Sequence, residues 1–133
     1  MTNPQSATPD GDTAGHAGIV ERGWQAVARG DWDGLVADYT ADMVFVMPGQ
    51  ADKLHGRPAF RAALDTIGAA LPPGFTITAL RQIAGGGEVV SIVEWTSEKC
   101  PDGSQLAVLF RFAGDKICEE RWFIDTEQWK AAF

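Results

Sequence analysis

The sequence predicts an α+β domain, with helices in the first half and a run of long antiparallel strands in the second. Three observations carry this. Apolar residues recur at helical spacing as far as Leu71. From Phe75 onward the period switches to two and stays there. Finally, the stretch Ser104–Asp125 (SQLAVLFRFAGDKICEERWFID) reads as two long strands joined by a tight turn. Leu106, Val108, Phe110 and Phe112 stand two apart, on one face of a pleated strand. Gly114-Asp115 is a two-residue hairpin signal. The return strand splits by parity into Ile117, Glu119, Arg121, Phe123 and Asp125 on one face, and Cys118, Glu120, Trp122 and Ile124 on the other. That second face is apolar except for one carboxylate, Glu120.

Met1 to about Gly18 is rich in Pro, Gly, Asp, Thr and Ala without periodicity. It reads as a mobile tail, residues 1–17, ahead of one domain over residues 18–133. A first helix is expected from Ala17 to Arg29, with Ile19, Val20, Trp24 and Val27 on its apolar face and Gly30 ending it. Asp31 is a good N-cap for a second helix that carries Trp32, Leu35, Val36 and Tyr39 on one side. Met43 to Met47 is a short apolar strand closed by Pro48-Gly49, and a loop runs to Gly56. Pro58 suits the first position of a third helix, whose buried face holds Phe60, Leu64, Ile67 and Leu71. Leu71-Pro72-Pro73-Gly74 stops it. Strands are then expected over Phe75–Ala84 and Glu88–Lys99, with turns at Gly85-Gly86-Gly87 and Pro101-Asp102-Gly103. The triple glycine leads into a strand rather than a helix N-terminus, which argues against a phosphate cradle.

The totals bound the function. A chain of 133 residues with 45% hydrophobic and 22% charged residues is one domain with material for a core. A net charge of −7 argues against a nucleic-acid partner and suits neutral or cationic small molecules. Two cysteines, Cys100 and Cys118, are too few for a disulfide scaffold, and the simpler reading is two free thiols in a reducing cytosol. Neither they nor His16 and His55 have metal-ligand spacing, so no metal is expected. No apolar run approaches the roughly 20 residues of a membrane span. No export signal is visible, and a cytoplasmic location is expected.

The run ARGDWDGLVADYTADMVFVMPG, then HGRPAF, a meander of strands, and FRFAGDKICEERWFID resemble the nuclear transport factor 2-like superfamily. This group includes ketosteroid isomerase, limonene epoxide hydrolase and the SnoaL-like polyketide cyclases. The resemblance covers the chain after the tail. It implies a cone-shaped α+β barrel, in which three N-terminal helices pack on a strongly curved, mainly antiparallel sheet that encloses a deep apolar pocket. It also implies a homodimer through the outer sheet face. The family's known catalytic sets do not carry over. The positions of the isomerase base, tyrosine and protonated aspartate hold Met47, Gly23 and Val108. The epoxide hydrolase posts fall near Val44, Val46, Val93, Trp95 and Trp122.

With Val108 and Trp122 facing inward, parity directs Leu106, Phe110, Phe112, Cys118 and Glu120 inward as well. The pocket wall is then expected to include Trp24, Val44, Val46, Phe60 and Leu64. On the strands, Val93, Trp95, Val108, Phe110, Cys118 and Trp122 complete it. Glu120 is the expected general acid–base, because a desolvated carboxyl has a raised pKa. The plainer reading pairs it with an arginine such as Arg111 or Arg121, or leaves it at a wet rim. His55, ahead of the third helix, is a second catalytic candidate at the pocket mouth, or else it bonds a backbone carbonyl. Cys118 lacks a basic partner and reads as inert. Asp125 reads as a cap.

The function expected from these readings is a cofactor-independent isomerase or cyclase. It would act by acid–base catalysis on a hydrophobic, aromatic or polyketide-like metabolite. The alternatives are a non-catalytic binding or dimeric accessory module and, third, a dehydratase or hydrolase.

Overall fold

The computed structural model describes residues 8–48, 53–69 and 71–133, with side chains for these except residues 8–14 and 67–69. Ten elements follow in order: α1 (Thr8–Arg29), α2 (Trp32–Val36), β1 (Tyr39–Val46), β2 (Leu54–His55), α3 (Arg57–Ala69), β3 (Thr76–Gly85), β4 (Glu88–Ser97), β5 (Cys100–Ala113), β6 (Lys116–Phe123) and α4 (Thr126–Ala131). The strands form a mixed sheet in the order β2-β1-β6-β5-β4-β3. All neighbours are antiparallel except β1 and β6, which run parallel. The sheet curls around the helices, as expected. No described helix is long and apolar enough to cross a membrane.

The first helix begins at Thr8, not at the expected Ala17. Its opening turn holds Pro9 and Asp10, residue types that helix starts accommodate. The remainder of the expected tail, residues 1–7, lies outside the described residues, as do loop residues 49–52 and the side chain of Ile67. α1 ends as the glycine foretold. Gly30 takes φ +69°, its N–H donates to Val27 O, and the Asp31 N–H donates to Ala26 O. Asp31 then turns from closing one helix to opening the next, its carboxylate accepting from the Gly34 N–H at 3.0 Å.

Tyr39 departs from expectation. It does not extend α2 but opens β1, directly opposite Ile117 of β6. The second helix has only five residues, and Tyr39-Thr40 is a dipeptide of high strand preference.

A bulge on β6 and the register of β1 decide which side chains face the helices. Between β5 and β6 the pairs are Phe110↔Glu120, Arg111↔Glu119 and Phe112↔Ile117. Cys118 is therefore the extra residue of a bulge. It lets Ile117 and Glu120, three apart, both face inward, and both are buried. Cys118, expected inward, is displaced from that face. On β1, Val44 pairs with His55 and Glu119, while Phe45 pairs with Leu54 and Glu120. Paired residues share a face. Val44 and Val46 therefore face outward with exposed His55, and Met43 and Phe45 supply the inward side chains, both buried.

The β3–β4 turn is Gly86-Gly87, both with positive φ, as a two-residue hairpin of this kind requires. The expected Pro101-Asp102-Gly103 turn is instead a kinked start of β5. The chain reverses at Glu98-Lys99, and Ser97 pairs with Cys100. Gly103 (φ +89°) passes so close to the Trp95 carbonyl that a Cβ would lie 3.2 Å from it.

The core lies between the inner sheet face and the helices. α1 packs on β3 and β4, and α3 packs on β1. One end is filled by an aromatic cluster in which Trp95 meets Phe75 at 5.5 Å and Trp129 at 5.4 Å between ring centroids. Asp125 caps α4 through the Gln128 N–H at 3.0 Å, which seats Trp129 in that cluster. Trp95 thus packs in the core. Val93 and Val108 point to the same interior and are fully enclosed, and none of the three lines the two chambers beside Glu120.

Candidate active site

Glu120 projects from β6 into the space under α1, α2 and α3. Its side chain is 6% exposed. One carboxylate oxygen accepts from the Tyr39 hydroxyl. The other accepts from the Trp122 indole N–H at 2.6 Å. Among the described residues no cation takes part. Arg111 pairs with Glu88 at 2.8 Å, and Arg121 with Glu119 at 3.1 Å, both around the outward Glu119 and away from Glu120. The ion-pair reading of Glu120 is therefore set aside: alternation along β6 turns Glu119, not Glu120, toward the arginines.

Two small apolar chambers flank the carboxyl. The first is lined by Val20, Gly23 and Trp24 of α1 with Tyr39, Phe110 and Ile117 of the sheet. The second is lined by Trp32, Phe45, Phe60, Leu64 and Leu71. Val27, Leu35, Glu120 and Trp122 belong to both. They offer about 30 and about 40 Å³, respectively, to the centre of a water-sized guest. Among the described residues these two compartments meet at Glu120 and Trp122. Gly23 matters here, since a Cβ would stand 3.3 Å from Leu35 and crowd the first chamber.

The wall at Trp24 is fixed from behind. Its indole N–H donates to the buried Ser91 hydroxyl at 3.0 Å, and Ser91 bonds Gln82 at 3.3 Å. Gln82 in turn donates to the Ala17 carbonyl at 3.0 Å. This chain ties α1 to β3 and β4, and satisfies polar groups that burial would otherwise penalise. Tyr39 is held by its own backbone, whose carbonyl accepts from Arg57 at 3.1 Å.

Burial pushes the Glu120 carboxyl above its ordinary 4.5, and the bonds from Trp122 and Tyr39 offset this only in part. Burial and the neighbouring Glu120 charge push the Tyr39 phenol well above 10.0, so it stays neutral and donates. Each Glu120 oxygen keeps one lone pair free. The arrangement can take up and return a proton inside an apolar cavity.

Of the residues expected at the site, Glu120, Trp24, Phe60, Leu64, Phe110 and Trp122 come together. His55, Val44, Val46 and Cys118 do not: Cys118 is the bulged residue, and Val44, Val46 and His55 share the outward face of β1 and β2. His55 is exposed on the outer face of the edge strand β2. Trp95, Val93 and Val108 belong to the core. Tyr39 is the functional side chain that sequence reasoning missed. The signal available was that it is the chain's one tyrosine, next to a β-branched residue. A wider depression of about 240 Å³ on the outer side of β3–β5 is lined by Thr78, Glu94 and Asp102. Both of its acids are exposed, and no enclosed charged group faces it.

With this geometry in view, the comparisons are informative. The profile of the SnoaL-like domain matches residues 20–120. Among solved structures, an NTF2-like protein of Burkholderia xenovorans is 22% identical (TM-score 0.71) and covers 90% of this chain and 96% of its own. The product of a soil-derived mobile gene cassette is 20% identical (TM-score 0.75), covering 92% and 98%. A Xanthomonas campestris protein named as a candidate polyketide cyclase is 19% identical (TM-score 0.72), covering 91% and 98%. At these identities the likeness establishes the fold. No curated protein matches the chain significantly.

The raised Glu120 titration makes a stability prediction. A carboxyl easier to protonate in the folded state stabilises the fold fully below 4.5, and that contribution is lost as pH rises through the folded value. Glu120→Gln lacks the titration. Urea unfolding from pH 4 to 8 should show the variant gaining stability relative to the wild type as pH rises. A difference independent of pH would contradict this.

Proposed function

The chain belongs to the SnoaL-like domain family, and on that premise we propose that it is a cofactor-independent isomerase or cyclase. Glu120 is its proton-transfer group, and its substrate is a small apolar metabolite. The observation that carries this reading is a buried carboxyl with neutral donors, no cation, and an apolar chamber on each side. Ion pairing does not explain such a group, and its burial has a cost in stability that a catalytic role explains.

The chemistry is simple to balance. Ionised Glu120 takes a proton from a carbon next to a carbonyl, and the C–H electron pair moves into an enolate. The same carboxyl then returns the proton to another carbon of the skeleton. A pKa raised toward the working pH favours both steps. Tyr39 and Trp122 hold the carboxyl in one orientation, so that little reorganisation precedes transfer. The chamber sizes favour a compact, two-lobed substrate that straddles Glu120. The Xanthomonas neighbour's name as a candidate polyketide cyclase supports the reaction class.

A non-catalytic binding module is the second reading, favoured by the absence of the other acidic and tyrosine posts of the ketosteroid isomerases at Met47, Val108 and Gly23. The two readings differ in what Glu120→Gln removes. With compact β,γ-unsaturated ketones such as cyclohex-3-enone, absorbance should report conjugation at a rate above buffer. The variant should lose roughly 10²–10⁴-fold of that rate while still binding the ketone. Ketone binding with no rate above buffer would favour the module.

The reading includes a homodimer. Ile83 and Phe123 are each 52% exposed on the outer sheet face, a cost that pairing with a second copy would relieve. Phe123→Glu should shift sedimentation from dimer to monomer. A wild type that sediments as a monomer at high concentration would remove this part.

A further inference from the structure

We propose that the Glu120 cavity binds a compact organic cation, a quaternary or tertiary aliphatic ammonium, seated beside the carboxyl and among the rings around it. This goes beyond the proton-transfer reading and does not rest on it.

Charge comes first. Glu120 is the one acidic or basic side chain buried among the described residues. The residues that line the two chambers from α1, α2, α3, β1, β5 and β6 bring no other charge, and Tyr39 is their only other titratable group. Among the described residues the fold thus buries a carboxyl and supplies no counterion. A cationic guest would supply it, and the desolvated pair would gain from the low local dielectric.

The walls point the same way. Trp24 and Trp122 stand 6.0 Å apart at 59°, and Phe110 meets Trp24 edge-on at 6.3 Å. Tyr39 closes the first chamber beside Glu120, and Trp32 and Phe60 line the second. Aliphatic side chains would serve a neutral apolar guest as well. Aromatic faces add attraction for a cation.

Size and valence narrow the class. A volume of about 30 Å³ for a water-sized centre admits a roughly spherical guest of about 3.3 Å radius, the dimension of a trimethylammonium or tert-butyl head. A primary ammonium would bring three N–H groups into a chamber whose free acceptors are the remaining lone pairs of Glu120. A head with no N–H, or one, leaves nothing unpaired. The net charge of −7 draws such a cation toward the protein from a distance.

The test compares choline with 3,3-dimethylbutan-1-ol, which has the same shape with carbon in place of nitrogen. Calorimetric titration of the full chain should show choline binding about tenfold tighter or more. In Glu120→Gln the choline advantage should fall about tenfold, because the ring walls alone contribute less than rings plus charge. Equal binding in the wild type, or no choline binding, would overturn the proposal. So would a choline preference undiminished in Glu120→Gln, which would assign it to the rings or the overall charge and not to the carboxyl. Should that variant not fold, the wild type still decides. Choline should shift the Trp122 indole N–H resonance and the alcohol should shift it less; no difference overturns the proposal. None of these readouts involves turnover, so failure of the catalytic reading leaves them intact.

Discussion

The structure turns on one carboxyl held away from water without a counterion. Glu120 accepts one bond from the Tyr39 hydroxyl and one from the Trp122 indole. Both donors are neutral, and both are large side chains that exclude solvent as they bond. Removing a carboxylate from water is expensive, and two neutral hydrogen bonds offset only part of that. The rise in its pKa is the outward sign of the imbalance.

The backbone devices around it gain meaning from this constraint. The bulge at Cys118 lets Ile117 share the inward face with Glu120, and alternation along β6 leaves Glu119 to the arginines outside. The abrupt end of α2 brings Tyr39 into β1, opposite Ile117, within reach of the carboxyl. The glycine cap at Gly30 and the Asp31 cap turn α1 directly into α2, so that both line the same hollow. The hydrogen-bonded chain from Trp24 through Ser91 and Gln82 to Ala17 fixes the wall opposite. Each is a local feature of a few residues, and together they define what faces the acid.

Much of this was legible in the sequence. The helix faces, the Asp31 and Asp125 caps, the turns at Gly86-Gly87 and Gly114-Asp115 and the long C-terminal hairpin follow from periodicity and local hydrogen-bond chemistry. So does the inward direction of Glu120, because counting back by two from Trp122 reaches it without crossing the bulge. Cys118 was misdirected because the same count crosses the extra residue. Val44 and Val46 were misdirected because apolar residues fill both faces of β1, and only its pairing with β6 sets the register. Tyr39 was hidden by proximity to a helical pattern, since a five-residue helix has too few turns to show where its period stops. Trp95 was assigned to the pocket because no local rule foretold that Trp129 of α4 would pack against it.

The resemblance read from local motifs and the family match agree on the fold, and the departures from the known catalytic sets focus attention on the acid that remains. The most direct test of the account is to follow the Glu120 side-chain carboxyl by carbon NMR across a pH titration of the folded protein. The account predicts a midpoint above 4.5 that moves higher still in Tyr39→Phe, where one of the two donors is gone. A midpoint at or below 4.5, or one unmoved by that substitution, would mean that the carboxyl is solvated or otherwise neutralised, and would contradict it.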